Sequence, residues 1–195
     1  MGLYRSEMIK IRNIFTDKLL IANFLSNLFY SMAYPCVHYK LISEVGQKMI
    51  SLNSIVICVA GILIPILWNK KSEKLYKTFG FLCNLEIILY AVICIMYLVS
   101  FIDAKAYYIL DTVFFCLVTK NMICGGNKLR AKRYDTENKR EKYDNNVQLV
   151  TNISSLIGFL ISFMVDMNVN VGFILITIGI CADNFFYYNG WKETI

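Results

Sequence analysis

Six stretches of the chain are almost wholly apolar and near the length of a bilayer-spanning helix: Leu19–Val37, Met49–Trp68, Phe79–Phe101, Ala106–Cys124, Val147–Val165 and Val169–Tyr188. A hydrocarbon core roughly 30 Å thick takes about 20 residues of helix. Lipid offers a peptide group no hydrogen-bond partner, so each stretch must satisfy its own backbone. Membrane strands would alternate in polarity over about ten residues, and these runs do not alternate. The sequence predicts an all-α, polytopic membrane protein with six transmembrane helices in one domain over residues 1–195.

Orientation follows from the longest hydrophilic stretch, Gly125 to Asn146, which carries Lys128, Arg130, Lys132, Arg133, Lys139, Arg140 and Lys142. Gly125 and Gly126 are expected to break the fourth helix and open a basic loop over 125–146. Arg5, Lys10, Arg12, Lys18, Lys70, Lys71, Lys74, Lys77 and Lys192 fall on the same side of the bilayer. Lys40, Lys48 and Lys105 fall on the other, and Lys120 lies inside the fourth run. Basic residues are retained on the cytoplasmic face. A multi-pass protein of the cell (inner) membrane with both termini cytoplasmic is therefore expected. That bias accounts for the net charge of +6, and no nucleic-acid partner is expected.

Other classes find little support. The seven cysteines are odd in number, lie in or beside apolar runs and form no CxxC pair, so neither a disulfide framework nor a metal site is expected. No cofactor set, P-loop, HExxH or GxSxG occurs, and no catalytic residue is expected. The sole histidine, His38, lies two residues from Cys36, a spacing that does not bring two side chains together on a helix. The opening Met1-Gly2-Leu3-Tyr4-Arg5-Ser6 fits a myristoylation pattern, which six spanning helices would make redundant. No cleavable signal follows the first apolar run. Tyr4, Met8, Ile11 and Phe15 share one face among basic residues, so residues 1–18 are expected to lie on the inner surface as an interfacial lead-in.

Polar residues within the apolar runs are the candidates for function, because lipid tails cannot solvate them. Asn23, Asn27, Tyr30, Tyr34 and His38 recur at helical spacing and share a face of the first helix. They are expected to line a watery path or to bond to neighbouring helices. The third run holds Glu86, with Tyr90 one turn on, and the fourth holds Lys120, a natural counter-ion for Glu86. Asp111 is placed at the outer interface, on the face opposite Lys120. In the fifth run Gln148, Asn152, Ser155 and Ser162, with Thr151 and Gly158 beside them, suit close helix packing. Pro35 is expected to bend or end the first helix. Tyr187, Tyr188 and Trp191, just after Asp183 and Asn184, are expected in an interfacial aromatic belt.

After the second run the chain reads Pro65 to Lys74, with Asn69, Lys70, Ser72 and Lys74 at the polar, basic and small positions of a known turn. This resembles the G-x-x-x-D-R-x-G-R-R loop of the major facilitator superfamily, although Pro65 stands at its first Gly and Glu73 at a basic position. Six helices, short outer loops and a charged stretch before a polar, glycine-containing fifth helix (Arg140–Phe163) also resemble one half of such a transporter. The resemblance implies two inverted three-helix repeats whose first and fourth helices line a central path. It puts Asn23, Asn27, Tyr30, Tyr34 and Lys120 along the substrate path of an unidentified small solute, and the carboxylate Glu86 with its neighbour Tyr90 is added as a path candidate because of its place inside an apolar run. The family joins two such halves in one chain and this sequence holds one, so a homo-oligomer or a second membrane subunit is expected beside the lipid bilayer. The alternative is a membrane subunit that does not transport: a substrate-binding, immunity-type or accessory partner of a larger complex.

Overall fold

The structure, a computed structural model, describes residues 17–69 and 75–192, the side chains of 67–69 and 75–78 excepted. The expected interfacial lead-in and the basic half of the family-like turn lie outside the described residues. Every apolar run is a helix: α1 (Lys18–Val45), α2 (Gln47–Asn69), α3 (Leu75–Leu98), α4 (104–133), α5 (Glu137–Met164) and α6 (Val169–Trp191). Five of the six are long and apolar enough to cross a membrane. The exception is α1, which at 28 residues has the length but carries the line of Asn, Ser and Tyr side chains.

The packing gives that polarity a place. α1 lies against α6 and α5, and touches α4 and α2 as well. Glycines bring its partners close: a Cβ on Gly158 of α5 would sit 2.7 Å from the Leu28 carbonyl oxygen, and one on Gly179 of α6 would sit 3.0 Å from Phe29 Cβ. Without a hydrophobic drive between helices in lipid, such close backbone approach is what holds a bundle together. On α5 the packed face is Tyr143, Val150, Ser154 and Gly158. It is not the expected Gln148–Asn152–Ser155–Ser162 line, of which Gln148 and Asn152 are exposed.

Several helix ends differ from expectation. Pro35 does not end α1, which continues to Val45, since spanning helices tolerate proline where neighbours satisfy the backbone. The break comes at Gly46, whose φ of 84° suits only glycine well. Gly125 and Gly126 do not break α4, which runs on to Arg133, and α5 begins at Glu137. The expected loop is thus a helical hairpin with a three-residue connection. Gly126 has a packing role instead: a Cβ there would collide with the Tyr187 phenol of α6.

Two apolar clusters close the ends of the bundle. At the basic end Leu19, Leu20, Phe79, Cys83, Leu129, Tyr143 and Trp191 pack together. Trp191 is only 1% exposed, a core residue rather than part of an interfacial belt. Arg133 donates to the Gly190 carbonyl at 2.8 Å, and Arg130 pairs with Asp144 at 2.8 Å. These contacts gather both ends of the described chain and the α4–α5 connection at one end. Within that connection Lys139 holds the Asp135 carboxyl below its usual range through a hydrogen bond. At the far end Val37, Tyr90, Ile93, Tyr107 and Phe173 form the second cluster.

Candidate functional site

Between the two clusters lies a polar layer that surrounds a cavity of about 500 Å³. α1 contributes Asn23, Ser26 and Tyr30, and α3 contributes Glu86 and Tyr90. α4 adds Asp111 and Thr119, and α6 adds Asp183, Asn184 and Tyr187. Apolar wall comes from Ile57 of α2 with Phe115, Ile123, Ile176 and Ile180. Helix α5 has no side chain in it.

Glu86 is the centre of the layer, 3% exposed. Thr119 donates its hydroxyl to Oε1, and Asn184 donates Nδ2 to Oε2 at 2.8 Å. The same Asn184 Nδ2 reaches the Ile180 carbonyl at 2.9 Å. Its Oδ1 is buried with no hydrogen-bond partner. Rotating the amide would turn that oxygen onto the carboxylate, so the bond to Glu86 fixes which way Asn184 faces. Tyr90 of α3 and Asp111 of α4 also face the cavity.

The expected ion pair between Glu86 and Lys120 does not form. Lys120 lies over the Phe115 ring, 5.2 Å from its centroid, with its ammonium turned toward Gly61 of α2. Ala104–Phe114 and Lys120–Arg133 are α-helical, but Phe115–Thr119 between them is a π turn, with the Lys120 amide bonded to the Phe115 carbonyl. The extra residue sets those after it back by about 100°, so Thr119 points where residue 118 would in an unbroken α-helix, and its hydroxyl meets Glu86. Such turns recur at functional sites.

Of the seven expected path residues, the fold brings Asn23, Tyr30, Glu86 and Tyr90 to the cavity. Asn27 lies off it and donates to the Asn23 carbonyl at 2.7 Å. Tyr34 lies beyond it, its ring stacked on His38 with centroids 4.7 Å apart. Asp111 is a wall residue rather than an interfacial one. Thr119 escaped the sequence reading, which noted Asp183 and Asn184 but gave them no role. The last two carried a usable signal, a polar pair inside an apolar run, hidden by their nearness to the expected end of α6.

Among the described residues no group of three His, Cys, Asp or Glu is placed to hold a metal ion. Comparison with protein-family models, with curated proteins and with solved structures found no match.

Proposed function

We propose that the chain carries a small solute across the cell membrane as a half-size, facilitator-like transporter acting as an oligomer. The observation that carries this reading is the carboxylate-lined cavity midway along an otherwise apolar bundle. Ionisable groups there cost at least about 2.5–3.5 kcal/mol each on insertion scales and mark solute or ion paths. The packing lends support. Exchanging α1 with α4, α2 with α5 and α3 with α6 returns the main helix contacts onto one another, apart from the slight α1–α2 contact. An inverted three-helix repeat has that symmetry.

A second copy or second subunit completes the assembly in this reading. Tyr30, on the cavity wall, is 51% exposed, and Asn152 is exposed on α5. Lipid would give the Asn152 amide no partner, and a neighbouring helix would. Alternating access also needs a second body to rock against. The basic hairpin sets both termini on the cytoplasmic side.

The test is solute uptake by cells with and without the protein, followed by uptake into vesicles holding the purified chain. Uptake that depends on the chain and falls in Asp111→Asn supports transport. Indistinguishable uptake across a broad solute panel would favour an accessory membrane subunit. A monomer that transports in vesicles would overturn the oligomer.

A further inference from the structure

We propose that the cavity takes an organic cation with N–H donors, an ammonium or guanidinium head on an apolar body. The inference names the solute class of the path proposed above and rests on that reading only for the translocation step. Glu86, Asp111 and Asp183 all line the cavity, whereas among the described residues no Lys, Arg or His does. A carboxylate taken from water without a counter-ion is strongly disfavoured, so an empty site of this composition is electrostatically incomplete. The cation nearest in sequence, Lys120, is turned away toward α2.

Asn184 supplies the second, independent observation. It lines the cavity and is 1% exposed, and its Oδ1 has no donor. Its Nδ2 is committed to Glu86 and Ile180, so the amide cannot turn to relieve the oxygen. A buried acceptor without a donor is expensive, and a bound N–H would remove that cost. A bare metal ion fits less well: no three carboxylate, thiol or imidazole groups converge among the described residues, and about 500 Å³ far exceeds an ion. The apolar wall and the Tyr30 and Tyr90 rings suit a hydrocarbon body and a cation over an aromatic face.

The experiment is calorimetric titration of the purified full chain with four compounds of similar size: benzylammonium, benzyltrimethylammonium, benzyl alcohol and phenylacetate. Benzylammonium should bind saturably, and the alcohol and the anion should not. Benzyltrimethylammonium keeps the charge but has no N–H, and should bind about tenfold more weakly. Asn184→Leu should remove the difference between the two ammoniums. Asp111→Asn or Asp183→Asn, whichever elutes as folded protein, should weaken both by about tenfold. Equal binding of benzyl alcohol and benzylammonium, equal binding of both ammoniums, or no saturation by either would overturn the proposal. Labelled benzylammonium uptake separates this from the transport reading. Binding without uptake keeps the cation site and removes transport, whereas uptake of uncharged solutes with no ammonium binding does the reverse.

Discussion

Removing Glu86 and Asn184 together should cost less than the sum of removing each. The Asn184 Nδ2 to Glu86 Oε2 bond is 2.8 Å long between groups 1% and 3% exposed. In water-soluble proteins a hydrogen bond to a charged group contributes about 1.5–3 kcal/mol. Membrane double-mutant cycles average about 0.6 and reach about 1.7 kcal/mol, because the membrane-embedded unfolded state also finds partners. Burial and charge place this bond near the upper membrane value, so a coupling of about 1.5 kcal/mol is expected. Asn184→Leu alone has two opposing effects: it strips a donor from the carboxylate but also deletes the unpartnered Oδ1. The single-variant loss is therefore a poor reporter, and the cycle with Glu86→Leu is the informative one. The assay is reversible unfolding in mixed micelles, with Lys120→Met as the comparison. Glu86 and Lys120 should be additive within about 0.5 kcal/mol. Additivity for Glu86 with Asn184, or a Glu86–Lys120 coupling above about 1 kcal/mol, would refute the network described.

Gly158→Ala should destabilise by about 1–2 kcal/mol in the same assay: overpacking against the Leu28 carbonyl and Met32 amide of α1 costs about 1–3 kcal/mol and outweighs the gain in helix propensity of up to about 1 kcal/mol. An unchanged unfolding midpoint would show that α1 and α5 are not in close contact. Asp135→Cys, on a background without native cysteines, should resist an impermeant maleimide in intact cells and react after permeabilisation; labelling from outside would invert the topology. Deleting Leu117, exposed within the π turn, removes the extra residue and should let an unbroken α-helix keep Asp111 and Thr119 on their present faces, with solute binding and helix content by circular dichroism retained. Loss of binding with helix content unchanged would show that the turn itself shapes the cavity.

The helices were legible because a run near twenty apolar residues has one solution in a bilayer. Their ends were not. α1 runs past Pro35 to Val45, and α5 starts at Glu137 inside the hydrophilic stretch; beyond the hydrocarbon, polar sequence can continue a helix without any change of composition that marks it. Glu86 was legible as a charge in an apolar run, but its partners were not. Opposite charge in a neighbouring run matches Lys120 to Glu86, and counting 100° per residue sets Asp111 on the face opposite Lys120; a π turn leaves no pattern in residue type that would change that count. The glycines misled for a related reason. Gly126 reads as a breaker in isolation, and only the Tyr187 ring packed against it explains the residue as room for a neighbour.

The two sides of the cavity are held by different means, and this bears on how it could open. α1, α5 and α6 meet through glycines whose backbones nearly touch: Gly158, Gly172 and Gly179 each leave less room on α1 than a Cβ ordinarily needs. Contacts of that kind are short-ranged and are lost on small separations, so these three helices should move as one body. On the other side, Asn53 is the one buried residue among the described side chains of α2. Its bond to Thr112 of α4, at 2.6 Å, is a polar link between those helices. A side with few buried contacts sits at the low-stability end of a fold. The carboxylate of Asp111 is on α4 and those of Glu86 and Asp183 are on α3 and α6. A shift of α2 with α4 would therefore change the distance between acidic groups while the α1–α5–α6 body stays intact.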